Sequence, residues 1–470
     1  MKSKLIRNLS VNTLQLILNQ LFGLIIFYLL STGLDKKDFG ALNLALAVLL
    51  AAFNILSLGI DQLMIKKIAA GAAVAPALSL YICHVLITGF SFYGLMILCR
   101  YFFPQTEVYN LILLAGIGKL MIFFSTPFKQ VANGMERFNL LAYMSVASNL
   151  IRCISLLVFA LLQGIGLKII IIVFITGDLG ELLVCIYLFS KRTKTRIAVK
   201  WNKLNYIKLL RESLPQSGVV VITSALARFD WIFIGFILSA VRLAEYSFAY
   251  RVFEIATFPM LAIAPLLLPL FTRLFQQQEI NTENLKFLIR MELVVAALII
   301  LLLNICWSPV IDWVTAGKYG AVNIKTIFIL SLCMPLLYMN NFLWTLNFAQ
   351  GRFKMILTSF VITLLVNVAG DCIFIPLYQN EGAALAFFLS CLAQTIFYMK
   401  KNDIPALRTI WHSLIVCTSC AIVSGLIMRT IILNVEVALL FAVPFYVVLL
   451  IITRQLKRTD KIAFQQLFQH

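Results

Sequence analysis

Nine ionisable side chains fall inside stretches that otherwise read as lipid-soluble: the bases Lys119, Arg152, Arg228 and Arg251, and the acids Asp178, Glu181, Asp230, Glu254 and Asp371. A charge near the middle of a bilayer costs roughly 2.5 to 3.5 kcal/mol even on the lenient insertion scale, so each of them has to face protein or water. Two kinds of chemistry suit such residues. Bases can replace the lost hydration of an anion through charge-assisted hydrogen bonds. Acids can neutralise those bases, or carry a coupling proton or Na+, for which Asp178, Glu181 and Asp371 are the candidates.

Spacing sorts some of these side chains. Asp178 and Glu181 are three residues apart and share a helix face, as do Arg251 and Glu254. Arg228 and Asp230, in "ALARFDWIFIGF" (225–236), are two apart and point about 160° away from each other, so they do not simply cancel. Lys119 and Arg152 have two readings: ion pairs with the acids at 178 and 181 that fix helix register, or bases that meet an anionic ligand. Arg228 and Arg251 lie in adjacent apolar stretches, which favours the second reading for them.

Uncharged polar residues add a second pattern. Asn12, Gln15 and Asn19 recur at three- and four-residue steps, giving one helix face a row of amides. Such a row suits a polar cavity wall, or interhelical hydrogen bonds worth about 0.6 kcal/mol each. Further on, Asn341 and Trp344 lie in a stretch with Tyr338, Asn340, Asn347 and Gln350. Aromatic faces beside amides suit sugar rings and hydroxyls. No G-x-x-x-x-G-K-[ST] loop is present to cradle ATP, and the three histidines have no E-x-x-H or H-x-x-x-H partner for a metal. Cys417 and Cys420 form the one C-x-x-C spacing, inside an apolar stretch without His or acidic neighbours, so no metal or cofactor is expected.

The elements that carry these residues follow from composition. Of the 470 residues 61% are hydrophobic and 13% charged, with a mean hydropathy of +0.95, which is a membrane composition. Apolar runs of about 18 to 25 residues, each able to cross a core about 30 Å thick, recur from end to end. They predict fourteen spans: 9–31, 41–62, 76–99, 108–126, 139–163, 167–190, 214–238, 246–272, 288–307, 326–348, 355–377, 382–399, 411–428 and 433–453. The fold class expected is therefore an all-α polytopic membrane protein. The net charge of +19 does not point to nucleic acid, because 27 of the 39 Lys and Arg residues fall on the side of the N-terminus and 8 on the other. By the positive-inside rule both termini are expected in the cytoplasm.

The two halves repeat. "NGMERFNLL" (133–141) and "AQGRFKMIL" (349–357) place Arg137 and Arg352 215 residues apart, each before a span. The next turns keep register, with Gly166 29 residues after Arg137 and Gly382 30 residues after Arg352. Six spans separate equivalent points, so the repeats share one orientation, as in transporters built from two parallel bundles around a central site. The expected organisation is a six-helix lobe (1–190), a basic linker (191–212) with amphipathic spacing of Trp201, Leu204, Ile207 and Leu210, a second six-helix lobe (213–402), and two extra helices with a basic tail (403–470). The longest loop on the side opposite the N-terminus, 308–325, is short for an enzyme acting on polysaccharide, and Asp312 is its one acid.

Three stretches carry a family resemblance: "LDKKDFGALNLALAVLLAAFNILSLGIDQLMIKKIA" (34–69), "ARFDWIFIGFILSAVRLAEYSFAYRVFE" (227–254) and "LYQNEGAALAFFLS" (377–390). Together they resemble the polysaccharide-repeat, or O-antigen, flippases (Wzx-like) of the multidrug/oligosaccharidyl-lipid/polysaccharide exporter superfamily. In the third stretch Asn380 and Glu381 replace the region of the family's first glycine. The resemblance implies two six-helix lobes and the transfer of an undecaprenyl-diphosphate-linked oligosaccharide from the cytoplasmic to the periplasmic leaflet of a bacterial inner membrane. It also implies a polysaccharide polymerase and a chain-length regulator as partners beside the lipids. On that reading the diphosphate or sugar meets Arg228, Arg251, Lys119, Arg152, Asn19, Gln15, Asn12, Asn341 and Trp344. The competing class is a cation-coupled multidrug antiporter of the same superfamily, which would prefer an acid-dominated interior; Arg228 and Arg251 argue against it.

Overall fold

The structure, a computed structural model, describes residues 2–102, 107–162, 164–195, 197, 199–260, 267–268, 271–272, 275, 282–402, 404, 407, 409–432 and 434–457, with the backbone alone for 2–13. All regular structure among them is helical: α1 (Lys2–Gly33), α2 (Lys36–Leu56), α3 (Ile60–Ala69), α4 (Val74–Phe102), α5 (Glu107–Gly134), α6 (Phe138–Leu162), α7 (Leu167–Thr193), α8 (Lys203–Ile237), α9 (Ala240–Ala256), α10 (Thr282–Thr315), α11 (Ile324–Ala349), α12 (Phe353–Lys401), α13 (Ile410–Ile431) and α14 (Val435–Ile452). In lipid a helix satisfies its own backbone groups, which is why apolar runs of this length fold this way.

Twelve of these helices are long and apolar enough to cross a bilayer. The 49-residue α12 breaks at Gln379 (φ 54, ψ −127), so it holds both the eleventh and twelfth expected spans. A Cβ on Gly382 would lie 2.0 Å from the Phe374 carbonyl oxygen, and only glycine admits that approach at the bend. α9 covers the start of the eighth expected span, 246–272; half of the rest lies outside the described residues.

The second expected span, 41–62, is not one helix. α2 starts on Asp35, whose carboxylate accepts the Asp38 amide at 2.7 Å, and stops at Leu56. Leu58 (φ 48) and Gly59 (φ 71) are left-handed and turn the chain into α3. On α3, Asp61 accepts the hydroxyl of the fully buried Tyr81.

The helices pack as two compact units, Met1–Ala244 and Glu245–His470. The seventh span, expected to open the second lobe, lies in the first unit, where α8 packs on α2 and α3. A Cβ on Gly40 of α2 would lie 1.7 Å from the Ala240 carbonyl oxygen, so that backbone contact also requires glycine.

The basic linker is mostly helix. Asn202 caps α8, its side chain accepting the Asn205 amide at 3.0 Å, and the helix then runs 35 residues without interruption. Its first turns are tied to α3 and α4. Ser79 Oγ accepts from the Lys200 amide at 2.7 Å, His84 Nδ1 lies 3.0 Å from the Tyr206 hydroxyl, and Lys67 pairs with Glu212. Trp201, Leu204 and Ile207 remain exposed along this segment.

The sequence repeat is matched in backbone geometry. Glu136 (φ 56) and Gly351 (φ 72) occupy the left-handed position that ends α5 and α11. In each the following arginine amide donates back five residues, Arg137 to Ala132 O at 3.0 Å and Arg352 to Asn347 O at 2.9 Å, closing the same six-to-one cap.

Candidate functional site: a charge cluster in the first unit

Three neighbouring helices bring the charges of the first unit together. On α7, Asp178 and Glu181 point from one face, as their spacing predicts, and both are almost fully buried. On α6, Ser148 and Arg152 sit one turn apart. Asp178 Oδ1 accepts the Ser148 hydroxyl at 2.7 Å and pairs with the Arg152 guanidinium. Arg152 also covers the Phe174 ring, 4.3 Å from its centroid. Two glycines make room for this pair. A Cβ on Gly118 would lie 2.7 Å from Asp178 Oδ2, and one on Gly177 would lie 2.7 Å from Arg152 Cγ.

The second pair differs from the expectation. Glu181 is engaged by Lys129 Nζ at 2.5 Å, with the Ser125 hydroxyl 3.1 Å away, and not by Lys119. Lys129 was expected in a connection beyond the fourth span. Instead α5 continues to Gly134, through Pro127, and carries Lys129 inward. The sequence misleads here: Pro127 follows the apolar run and reads as a helix stop, yet the helix continues to the Asn133-Gly134 turn.

The cluster holds three bases and two acids, and Asp61 of α3 adds a third carboxylate in the field of Lys129. Lys119, on α5, is half-buried in the field of Arg152, Asp178, Glu181 and Lys129, yet forms no ion pair or hydrogen bond among the described residues. Polar contact extends to α1, where Asn149 Nδ2 donates to Asn19 Oδ1 at 3.1 Å, one turn from Arg152 on α6. Buried ion pairs roughly repay their own desolvation. Lys119, outside both pairs, is the ammonium that remains to attract an anion.

The other expected site residues are dispersed. Gln15 is half-buried on α1, and the Asn12 side chain lies outside the described residues. Arg228, half-buried on α8, donates to its neighbour's carbonyl, Ala227 O, at 2.8 Å and lies 4.4 Å over the Trp231 ring. Asp230 is buried and its Oδ1 accepts the Trp231 amide at 2.8 Å. In the second unit Arg251 pairs with Glu254 at 2.6 Å along α9. Asn341 and Trp344 are half-buried on α11, where Trp344 meets Phe348 at 5.2 Å. Their neighbour Asn340 is interhelical: it donates to Cys391 O at 3.0 Å and accepts from Thr395 Oγ1 at 2.8 Å. Asp371 is fully buried on α12.

Sequence reading passed over Glu292 on α10. Only 6% of its surface is exposed, and neither carboxylate oxygen has a hydrogen-bond partner among the described residues. It lies near the start of the ninth expected span, five residues after Thr282-Glu283-Asn284-Leu285-Lys286-Phe287, where polar residues read as a span boundary. Asp312, the one acid of the 308–325 loop, closes that loop. It accepts the Ser308 hydroxyl and the Gly320 amide at 2.7 and 2.8 Å. Among the described residues no three His, Cys, Asp or Glu side chains gather as metal ligands.

Solved structures share this fold. The lipid II flippase MurJ, in an inward closed conformation, superposes with a TM-score of 0.75 at 13% identity, covering 95% of this chain and 99% of that one. A multidrug resistance MATE family transporter, inward-facing, gives 0.66 at 15% identity over 86% and 99%. A transporter from Pyrococcus furiosus, whose binding pocket is described as of reverse polarity, gives 0.57 at 15% identity over 85% and 94%. The fold is thus that of the MOP-superfamily transporters. No curated protein matches the sequence. Residues 5–275 match the family described as polysaccharide biosynthesis protein, and the chain belongs to that family.

Proposed function

We propose that this protein flips an undecaprenyl-diphosphate-linked oligosaccharide from the cytoplasmic to the periplasmic leaflet of a bacterial inner membrane, by alternating access, for an O-antigen-like surface polysaccharide. The observation that carries the reading is Lys119, set beside the two ion pairs of the charge cluster and left outside both. A diphosphate entering an apolar interior loses its hydration, and an ammonium there restores part of it through charge-assisted contacts. Membership of the polysaccharide biosynthesis family and a fold shared with a lipid II flippase support the substrate class. Both termini then lie in the cytoplasm, and a polysaccharide polymerase and a chain-length regulator are the partners that would take up the product.

Arg152 and Lys129 act as positioning residues here, since each is held by an acid. Arg228, over Trp231, is the second candidate contact for phosphate or sugar. A coupling proton or Na+ would involve Glu292 more readily than Asp178 and Glu181, which are already paired, with Asp371 as a further candidate. Glu292, without a hydrogen-bond partner among the described residues, is also the observation that favours the cation-coupled drug antiporter as a second reading.

The test is flipping in liposomes loaded with a lipid-diphosphate-linked oligosaccharide, read by access of an impermeant sugar probe. Lys119→Gln is expected to slow flipping about tenfold, the scale of one charge-assisted hydrogen bond. Equal rates for wild type and variant would remove Lys119 from the substrate path. Export of cationic drugs without any sugar-lipid flipping would establish the antiporter instead.

A further inference from the structure

The turns that open α8 stand at the edge of the lipid layer. Ser79, near the start of the third expected span, accepts the Lys200 amide at 2.7 Å, and His84, further into that span, lies 3.0 Å from the Tyr206 hydroxyl. Residues 200–206 are thereby held level with the end of a membrane helix, where headgroups begin. The Trp201 ring lies 4.8 Å from that of Tyr206, which fixes the segment just before the helix as well.

What this segment turns outward is mixed. Leu204, Ile207, Lys208 and Arg211 follow one another at i, i+3, i+4 and i+7 and so form one stripe, and all four are exposed, Leu204 by 80%. Val199, Lys200, Trp201 and Lys203 continue the exposure ahead of it, while Leu209 and Ser213 are buried on the packed side. The one acid of residues 199–214, Glu212, is held by Lys67. The cations Lys200, Lys203, Lys208 and Arg211 form no ion pair among the described residues, and Lys208 feels Glu212 only through a field that Lys67 already dominates. Basic residues that only set topology need to be on one side of the membrane and nothing more. They do not need Trp, Leu and Ile exposed among them at the same height. Interleaved bases and large apolar side chains make a surface that enters the boundary between headgroups and acyl chains, the apolar groups sinking and the charged heads snorkelling to phosphate.

We propose that residues 199–211 form a docking surface for anionic lipid headgroups of the leaflet on the side of the N-terminus. Trp201, Leu204 and Ile207 enter the acyl boundary, and Lys200, Lys203, Lys208 and Arg211 meet phosphate oxygens. The surface is separate from the charge cluster of the first unit and does not depend on the flipping reaction. It recruits lipid by charge, so phosphodiester lipids with a net negative charge gather there in preference to zwitterionic ones.

The experiment uses the full-length chain in phosphatidylcholine nanodiscs that carry a nitroxide quencher on the acyl chains of either phosphatidylcholine or phosphatidylglycerol. Subtracting the emission of each form's Trp201→Phe counterpart isolates Trp201. Both labelled lipids are expected to quench it, and labelled phosphatidylglycerol at equal mole fraction about fivefold more steeply, the scale of about 1 kcal/mol for a cation near an anionic surface. The triple variant Lys203→Gln, Lys208→Gln, Arg211→Gln is expected to lose that preference while still being quenched. Arg211→Gln alone is expected to lose part of it, which keeps the test open should the triple variant misfold. Lys354→Gln, Lys400→Gln, Lys401→Gln removes the same charge from exposed positions elsewhere on that side and is expected to keep the wild-type preference. Quenching by neither lipid would assign the face to water or to a protein, and equal quenching by both would leave it without charge selectivity. Either result, or equal loss in the two triple variants, overturns the proposal.

Discussion

Asp178 and Glu181 in the first unit and Glu292 in the second are all nearly closed off from solvent, yet their surroundings are opposite. The first two are each met by a base and a serine hydroxyl. Glu292 has no hydrogen-bond partner among the described residues. A carboxylate held by a base is costly to strand and therefore fixes register, whereas one with no partner has nothing to lose when it is neutralised. The contrast separates a rigid charged framework from a group free to change its proton.

The sharpest way to break that contrast is Arg152→Leu, which strands Asp178. It is expected to destabilise the protein by about 3 to 5 kcal/mol in thermal or denaturant unfolding from detergent micelles. Adding Asp178→Leu should return most of that loss, because two apolar side chains need no partner. If the single variant were as stable as wild type, the pair would not be structural. Gly177→Ala comes next. Its methyl would press on Arg152 Cγ at 2.7 Å and the Ser148 carbonyl oxygen at 3.3 Å, at an expected cost of about 1 to 3 kcal/mol in the same assay.

Glu292→Gln should leave stability within about 1 kcal/mol of wild type, since no ionic partner is lost. Its consequence should appear in transport: flattened dependence of flipping on an imposed pH gradient would support a proton at Glu292, and an unchanged gradient response would remove it. The smallest effect expected is a gain. Glu136→Gly places at the end of α5 the residue type that ends α11, and relief of a left-handed non-glycine residue should raise stability by about 1 kcal/mol. Loss of stability there would mean that the two caps are equivalent in shape alone.

Much of this was legible before any coordinates. Hydropathy placed the spans because backbone groups in lipid leave helices little competition, and three-residue spacing put Asp178 and Glu181 on one face. The partner of Glu181 was not legible, because it depends on α5 running past its apolar run to Lys129. The break at Leu58-Gly59 escaped notice because Ile60, Leu63, Met64 and Ile65 extend the apolar pattern past it, while the backbone reverses at two residues. Glu292 was hidden for the converse reason, a polar start to α10 that continues as helix into the packed interior.

α8 is about 52 Å long at 1.5 Å per residue, well beyond a hydrocarbon core of about 30 Å. Its basic first turns are clamped at Tyr206 and Glu212, while Arg228 and Asp230 ride near its other end. The linker is therefore a rigid extension of α8 and not a slack tether, and its ties to α3 and α4 hold Arg228 and Asp230 at a fixed register behind it.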